Sequence, residues 1–296
     1  MDAESSMLEV LAVVNCGAGN RNSWQLSSRL VGGLKTGAWK VRDLDGKLGV
    51  LKGYECQRSA KDVESWAALV RAARVAGWPT PEWHAWGVDR LGYPYTLVDF
   101  VEGAPRQQLD EATLDALLAA TEIQRGLAAG CAVNAVNKSA EAWNSVFHNT
   151  QRWKSVLTRR SPDALRAGEA VARKAEPFRD IELPAVDLVH TDFGLHNVLF
   201  RDRALAAVVD LEGLSRGTVS IDLATLLFAT HATGAYEERA LQRLIEHALG
   251  RDGAPVVTVA LASALFDWVI YATARLGAAE VTDFLVTATA LFDRLR

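Results

Sequence analysis

The chain of 296 residues carries 32 Lys and Arg against 36 Asp and Glu, for a net charge of −4, with 49% hydrophobic and 23% charged residues. That composition excludes a chain disordered throughout, and the lack of any basic block argues against a nucleic-acid backbone binder. Residues 1–102 hold 12 basic and 12 acidic side chains and residues 103–296 hold 20 and 24, so the whole acidic excess lies in the second part, the expected home of a metal or a cationic substrate. Three cysteines, Cys16, Cys56 and Cys131, are too few and too scattered for a disulfide framework or a zinc cluster. Asp2 and Glu4 stand where an export signal would carry Lys or Arg, so a cytoplasmic location is expected.

The first hundred residues read mostly as strands. Trp24 to Val31 leads through a glycine-bearing turn, Gly32 to Gly37, into Ala38 to Arg42. Asp45-Gly46 then signals a hairpin with Leu48 to Lys52 as the return strand. From Asp62 to Ala76, Val63, Trp66, Leu69 or Val70, and Ala73 recur at helical spacing, and Gly77 and Pro79 end the run. Trp83 to Val88 and Tyr95 to Val101 follow as strands. The break Glu102-Gly103-Ala104-Pro105 is the candidate hinge between a domain of residues 1–102 and one of residues 103–296.

Beyond the hinge the pattern turns helical. Asp110 opens a helix through Leu114, Leu117, Leu118 and Ile123 that Gly126 or Gly130 can stop, and Ala140 to Leu157 reads as one helix. Ser161-Pro162-Asp163 combines an N-cap, a first-turn proline and an acid at the positive end of the helix dipole. The long apolar run Ala254 to Ala274 is interrupted by Asp267 and Trp268, so a buried helix is expected there rather than a membrane span.

One interlude breaks this helical half. Two apolar strands, Val198 to Phe200 and Leu205 to Val209, flank the turn Arg201-Asp202-Arg203 and predict a β-hairpin. His190, Asp192 and Asn197 precede the first strand and Asp210 follows the second. A hairpin sets its two ends side by side, so Asn197 and Asp210 should be neighbours despite their separation in sequence. An amide oxygen and a carboxylate so placed suit a hard ion such as Mg2+, which fills its other positions with phosphate and water, and Asp192 would face the same space as a general base.

His190-x-Asp192-x-x-x-x-Asn197 followed by Asp210 resembles the catalytic and metal loops of the aminoglycoside phosphotransferase and choline kinase branch of the protein-kinase-like fold. The resemblance extends over about residues 24–230. Lys52 matches the position of the family's ATP-phosphate lysine, and Glu64 matches the partner that aims it, with Glu55 and Asp62 as alternatives. Gly77 to Glu82 resembles the Gly-x-Pro-x-Pro link, Asp99 to Gly103 resembles the segment whose main chain, at Asp99 and Val101, pairs with adenine, and Ser220 to Ala224 resembles a helix start that braces the catalytic loop. The resemblance therefore implies an α+β, two-lobe kinase-like fold: an N-terminal antiparallel sheet plus helix, and a mostly helical C-terminal lobe. It implies transfer of the γ-phosphate of ATP, or of GTP, to a small-molecule hydroxyl, with Mg2+ on Asn197 and Asp210, Asp192 catalytic and His190 bracing the loop.

Departures from the family pattern are Thr191 where Gly is common, Gly217-Thr218-Val219 where Gly-Asp-Pro is common, and no Gly-x-Gly-x-x-Gly at Gly32 to Gly37. The expected acceptor is a cationic antibiotic such as an aminoglycoside, with a metabolite such as choline, homoserine or a sugar as the alternative; neither nucleic acid nor membrane is an expected partner. Asp222 is expected to cap its own helix, and Glu212 to contact metal or substrate or simply face solvent. Three rival readings remain at this stage. One is a serine hydrolase using Ser215 in Gly213-x-Ser215-x-Gly217, another is a transition-metal site on His190, Asp192 and His196, and the third is a non-catalytic nucleotide binder.

Overall fold

A computed structural model describes residues 3–16, 23–30, 37–54, 56–129, 135–272 and 277–295. The turn at residues 32–36, Cys131 and Glu55 lie outside the described residues. The chain opens on a helix that the strand reading did not anticipate, α1 (Ala3–Cys16). Strands β1 (Gln25–Arg29), β2 (Ala38–Arg42), β3 (Leu48–Gly53), β4 (Trp83–Val88) and β5 (Pro94–Asp99) form an antiparallel sheet in the order β1-β2-β3-β5-β4. The Asp45-Gly46 turn closes β2 onto β3, with Gly46 at φ +86°, where a side chain would be strained.

Alternation along the strands sorts this sheet into two faces. One buries Trp39, Val41, Leu51 and Leu97 against Met7, Val10, Leu11 and Val14 of α1, which is why that helix is there. The other face carries Lys52. Helix α2 (Ala60–Val75) starts at Ser59 through a capping box with Asp62, and it buries Val63, Ala67, Leu69, Val70 and Ala73. Leu69, Val70, Ala73 and Trp78 join the same apolar cluster as the C-terminal helices, so the main core crosses the sequence boundary expected at residue 102.

The hinge segment is itself a strand, β6 (Ala104–Pro105), paired with β8 (Val198–Arg201). At Gly103, φ is +159° and a Cβ would sit 3.0 Å from the Phe200 carbonyl oxygen, so only glycine fits this close approach. Helix α3 (Glu111–Gln124) is capped by Asp110 and stops before Gly126. The single helix expected over Ala140 to Leu157 is two, α4 (Lys138–Phe147) and α5 (Thr150–Thr158). The main chain turns at His148-Asn149, where both amides bond back to the Asn144 carbonyl. Helix α6 (Pro162–Ala175) starts on Ser161, as its N-cap signature predicts.

Strand β7 (Asp187–Val189) leads to the catalytic-type loop, β8 and β9 (Ala204–Val208) form the hairpin, and β10 (Ser215–Gly217) returns to pair with β7. Helices α7 (Ser220–Thr233), α8 (Glu238–Ala272) and α9 (Ala278–Asp293) complete the fold. The α8 axis breaks at Gly253, φ +79°, just before Pro255, which cannot donate to a helical bond. By length and composition α8 could cross a membrane, but Val257, Leu261, Leu265, Phe266 and Val269 are buried in the main core, and Trp153 stacks on Phe266.

Candidate active site

Asp222 anchors the loop between β7 and β8. This carboxylate, fully buried on α7, accepts the amides of His190 at 2.8 Å and Thr191 at 2.8 Å and the Gln124 side-chain amide at 2.7 Å. The α7 N-cap is Val219, with no side-chain cap, so Asp222 does not cap its own helix; it reaches across to the loop instead. Burial pushes its pKa up, against the pull of the three N–H donors. Gln124 of α3 is a member of this brace that sequence spacing could not supply, because it lies 98 residues from Asp222.

His190 is fully buried. Its Nε2 bonds the Val209 carbonyl at 2.8 Å, while Nδ1 accepts the Asp192 amide at 3.3 Å, a pattern that fits the neutral Nε2–H tautomer. The ring therefore ties the catalytic-type loop to the end of β9. Thr191, at φ +74°, places its Oγ1 in the space that a Cβ on Gly213 would need.

At the mouth of the hairpin the Val209 amide donates to the Asn197 carbonyl at 2.9 Å, continuing the Val198–Val208 pairing, and Asp210 follows at φ +65°. The Asn197 side-chain amide donates to the Asp192 carbonyl and to Asp192 Oδ2, both at 2.9 Å. Lys52 Nζ reaches over from β3 to Asp210 Oδ1, and to Glu212 Oε2 at 3.4 Å. Asp192 and Asn197 thus form one polar pair, and Lys52, Asp210 and Glu212, up to 160 positions apart in the chain, form a second; the main-chain bond from Val209 to Asn197 sets the two side by side at the hairpin mouth. The two acids leave Lys52 firmly an ammonium. Burial lowers its pKa, but Tyr54, Asp210 and Glu212 together raise it above the ordinary lysine value.

Asp192 presents a 61% exposed side chain. Loss of hydration against the loop would raise its pKa, but His196, 3.4 Å from Oδ2, together with Asn197, outweighs that and holds it below the usual carboxylate value. His196 is in turn raised by its bond to Asp192, against the effect of burial, with further help from the charges of Asp192 and Asp210. A depressed carboxyl is ionised in the fold down to lower pH than in the unfolded chain, and this stabilisation is lost as pH falls through the folded pKa. Removing His196 leaves desolvation less opposed. The His196→Ala variant is therefore expected to move the Asp192 titration, followed by carboxyl 13C NMR, to higher pH; an unmoved or lowered midpoint would contradict this account.

Glu64 is not brought to Lys52. No ion pair within 4.0 Å joins them, and the Glu64 carboxylate accepts the Trp86 indole N–H at 2.8 Å. Asp62 is committed to the α2 capping box. Asp99 takes His84 Nε2 at 2.7 Å and Lys47 Nζ at 3.1 Å; burial raises its carboxyl, but His84 and Lys47 outweigh that and hold it low. The Asp99 amide donates to the Glu82 carbonyl and the Phe100 amide to the Leu48 carbonyl, whereas the Val101 amide bonds no other main-chain group among the described residues. Ser215 is buried in β10 and donates to the Gly213 carbonyl at 2.8 Å, so it offers no nucleophile to the cleft. Among the described residues no group of three His, Cys, Asp or Glu converges as a metal site, and both ring nitrogens of His190 are engaged within the loop.

A family model described as "Phosphotransferase enzyme family" matches residues 29–256, which include all of this constellation. The chain belongs to this family. No curated protein sequence matches it. Among solved structures, a thermostable mutant of aminoglycoside phosphotransferase APH(4)-Ia in complex with ADP and hygromycin B is 15% identical, with a TM-score of 0.67 over 99% of each chain. An aminoglycoside-3'-phosphotransferase of type VIII is 19% identical, with a TM-score of 0.56 over 91% of this chain and 100% of the other. An amicoumacin kinase with AMP-PNP and Ca2+ is 11% identical, with a TM-score of 0.64 over 98% of this chain and 93% of the other. At these identities the likenesses establish the fold, a kinase-like α+β architecture with an N-terminal antiparallel sheet and a mostly helical C-terminal part.

Proposed function

We propose that the chain is a cytoplasmic, Mg2+- and ATP-dependent O-phosphotransferase that moves the γ-phosphate to a hydroxyl of a cationic antibiotic, with aminoglycosides as the leading class. The observation that carries this reading is that main-chain pairing sets Asn197 and Asp210 on the two sides of one hairpin mouth, with Asp192 bonded to the first and Lys52 to the second. In this reading residues 1–102 bind the nucleotide and residues 103–296 carry the catalytic loops and the acceptor.

The donor set fits a hard cation. Asn197 commits its amide nitrogen to Asp192, which leaves the amide oxygen as an acceptor, and Asp210 adds a carboxylate whose partner here is an ammonium. Asn197 and Asp210 would hold Mg2+, which when bound offsets phosphate charge. Lys52 holds the phosphates, and Asp192, ionised at neutral pH, orients the acceptor hydroxyl and takes its proton. Gly49 and Asp99 are opposite each other on β3 and β5, and the Phe100 amide bonds the Leu48 carbonyl. That makes them a non-hydrogen-bonded pair, so the Asp99 carbonyl faces away from β3. This carbonyl and the Val101 amide would meet the adenine edge. The acidic excess of the second part of the chain supports a cationic acceptor.

The test is nucleotide consumption with ATP and with GTP, in Mg2+, against a panel of aminoglycosides, other cationic antibiotics, choline, homoserine and sugars. Release of the nucleoside diphosphate (ADP or GDP) confined to antibiotics, with a product gaining one phosphate, is the expected result. Turnover confined to the metabolites would replace the acceptor assignment. Nucleotide binding without any turnover would overturn the enzymatic one.

A further inference from the structure

We propose that Tyr54, rather than an acid of α2, is the side chain that positions Lys52 toward the nucleotide phosphates. The inference rests on the phosphotransferase reading and concerns how the chain aims the lysine within it.

Lys52 and Tyr54 are two apart on β3 and its continuation, where the Tyr54 amide bonds the Pro94 carbonyl, so both side chains leave the same face of the sheet. The Lys52 ammonium lies 4.9 Å from the centre of the Tyr54 ring, within the roughly 6 Å over which a ring face attracts a cation. The ring is itself fixed from two other elements. Its hydroxyl bonds Thr96 Oγ1 at 3.0 Å, and Thr96 is the cross-strand partner of Lys52 on β5; Trp66 of α2 meets the ring edge-on at 6.2 Å.

The other partners of Lys52, Asp210 and Glu212, come from the loop beyond β9 rather than from the sheet that carries the lysine. Of these, Asp210 is the residue assigned to the metal, so its hold on Lys52 competes with the bound state. The α2 acids are committed elsewhere: Asp62 to Ser59, and Glu64 to the Trp86 indole, over whose ring Arg71 of the same helix also lies. A ring face differs from a carboxylate in one chemical respect. It orients the ammonium without neutralising it and leaves the full positive charge for the phosphates.

Nucleotide dissociation constants, measured by calorimetry with ATP and Mg2+ on the full chain, test this in four variants. Tyr54→Leu is expected to bind at least tenfold more weakly, Tyr54→Phe, which keeps the ring, within about threefold of wild type, and Glu64→Gln within about twofold. Thermal unfolding of each variant separates loss of the fold from loss of aim. A tenfold loss in Glu64→Gln, or wild-type affinity in a folded Tyr54→Leu, overturns the inference. The Glu64→Gln arm decides even if Tyr54→Leu does not fold. Wild-type affinity in Lys52→Ala would instead remove the phosphotransferase reading beneath it.

Discussion

Asp192→Ala is expected to bind Mg2+-nucleotide within a few fold of wild type and to lose phosphoryl transfer by about a thousandfold, the scale of a positioned general base. Asp210→Ala is expected to show the opposite order of defects, with metal-supported nucleotide binding gone before chemistry can be assayed. The asymmetry follows from position. Asp210 is met by the lysine that would hold phosphate, whereas the exposed Asp192 carboxylate, among the described residues, bonds within its own loop, to His196 and Asn197. Its tie to Asn197 is double, through both Oδ2 and the main-chain carbonyl, and the second bond survives in the alanine variant, which keeps Asn197 aimed. Calorimetric binding alongside steady-state turnover would separate the two. Equal turnover in both variants and wild type would remove the role assignment.

The second large effect is expected far from any substrate. Asp222→Leu leaves the amides of His190 and Thr191 without their acceptor and the Gln124 side-chain amide with only the Leu188 carbonyl, at a site where His190, Gln124 and residue 222 are fully buried. Each buried donor so orphaned costs about 1–3 kcal/mol, and a combined loss of about 3–5 kcal/mol is expected in denaturant unfolding. Against a typical total of about 5–15 kcal/mol, that is enough to depress the folded population at growth temperature. Turnover should fall as well, because the loop that presents Asp192 hangs from this carboxylate. Asp222→Asn is expected to fall between, since it keeps one oxygen acceptor but turns an N–H toward a donor. A leucine variant as stable as wild type would mean that the brace is ornamental.

Much of this was legible in the sequence, and the reason is locality. The β2–β3 hairpin follows from Asp45-Gly46 and its flanking alternation, the α6 start from Ser161-Pro162-Asp163, and the nearness of Asn197 to Asp210 from the pairing of two short strands. What stayed hidden depends on partners distant in the chain. Helix α1 exists because one face of the sheet needs cover, which no property of residues 3–16 announces. The split of residues 138–158 into α4 and α5 turns on two amides choosing one carbonyl. Glu64 has the spacing of a lysine partner, yet the indole of Trp86 reaches it, and strand β4 cannot be weighed from the helix pattern alone. The role of Asp222 was half visible: its position at a helix start reads as a cap, while its actual debt is to a loop 31 and 32 residues upstream.

Because Leu69, Val70, Ala73 and Trp78 are buried in a cluster shared with the C-terminal helices, a fragment cut at residue 102 would carry a bare oily stripe along α2 into solvent. Split-protein or stand-alone expression at that point would yield an aggregating half, whereas co-expressing both halves could let them reassociate across the stripe. The strand at Ala104–Pro105 belongs with the second half in such an experiment, since it is stitched to β8.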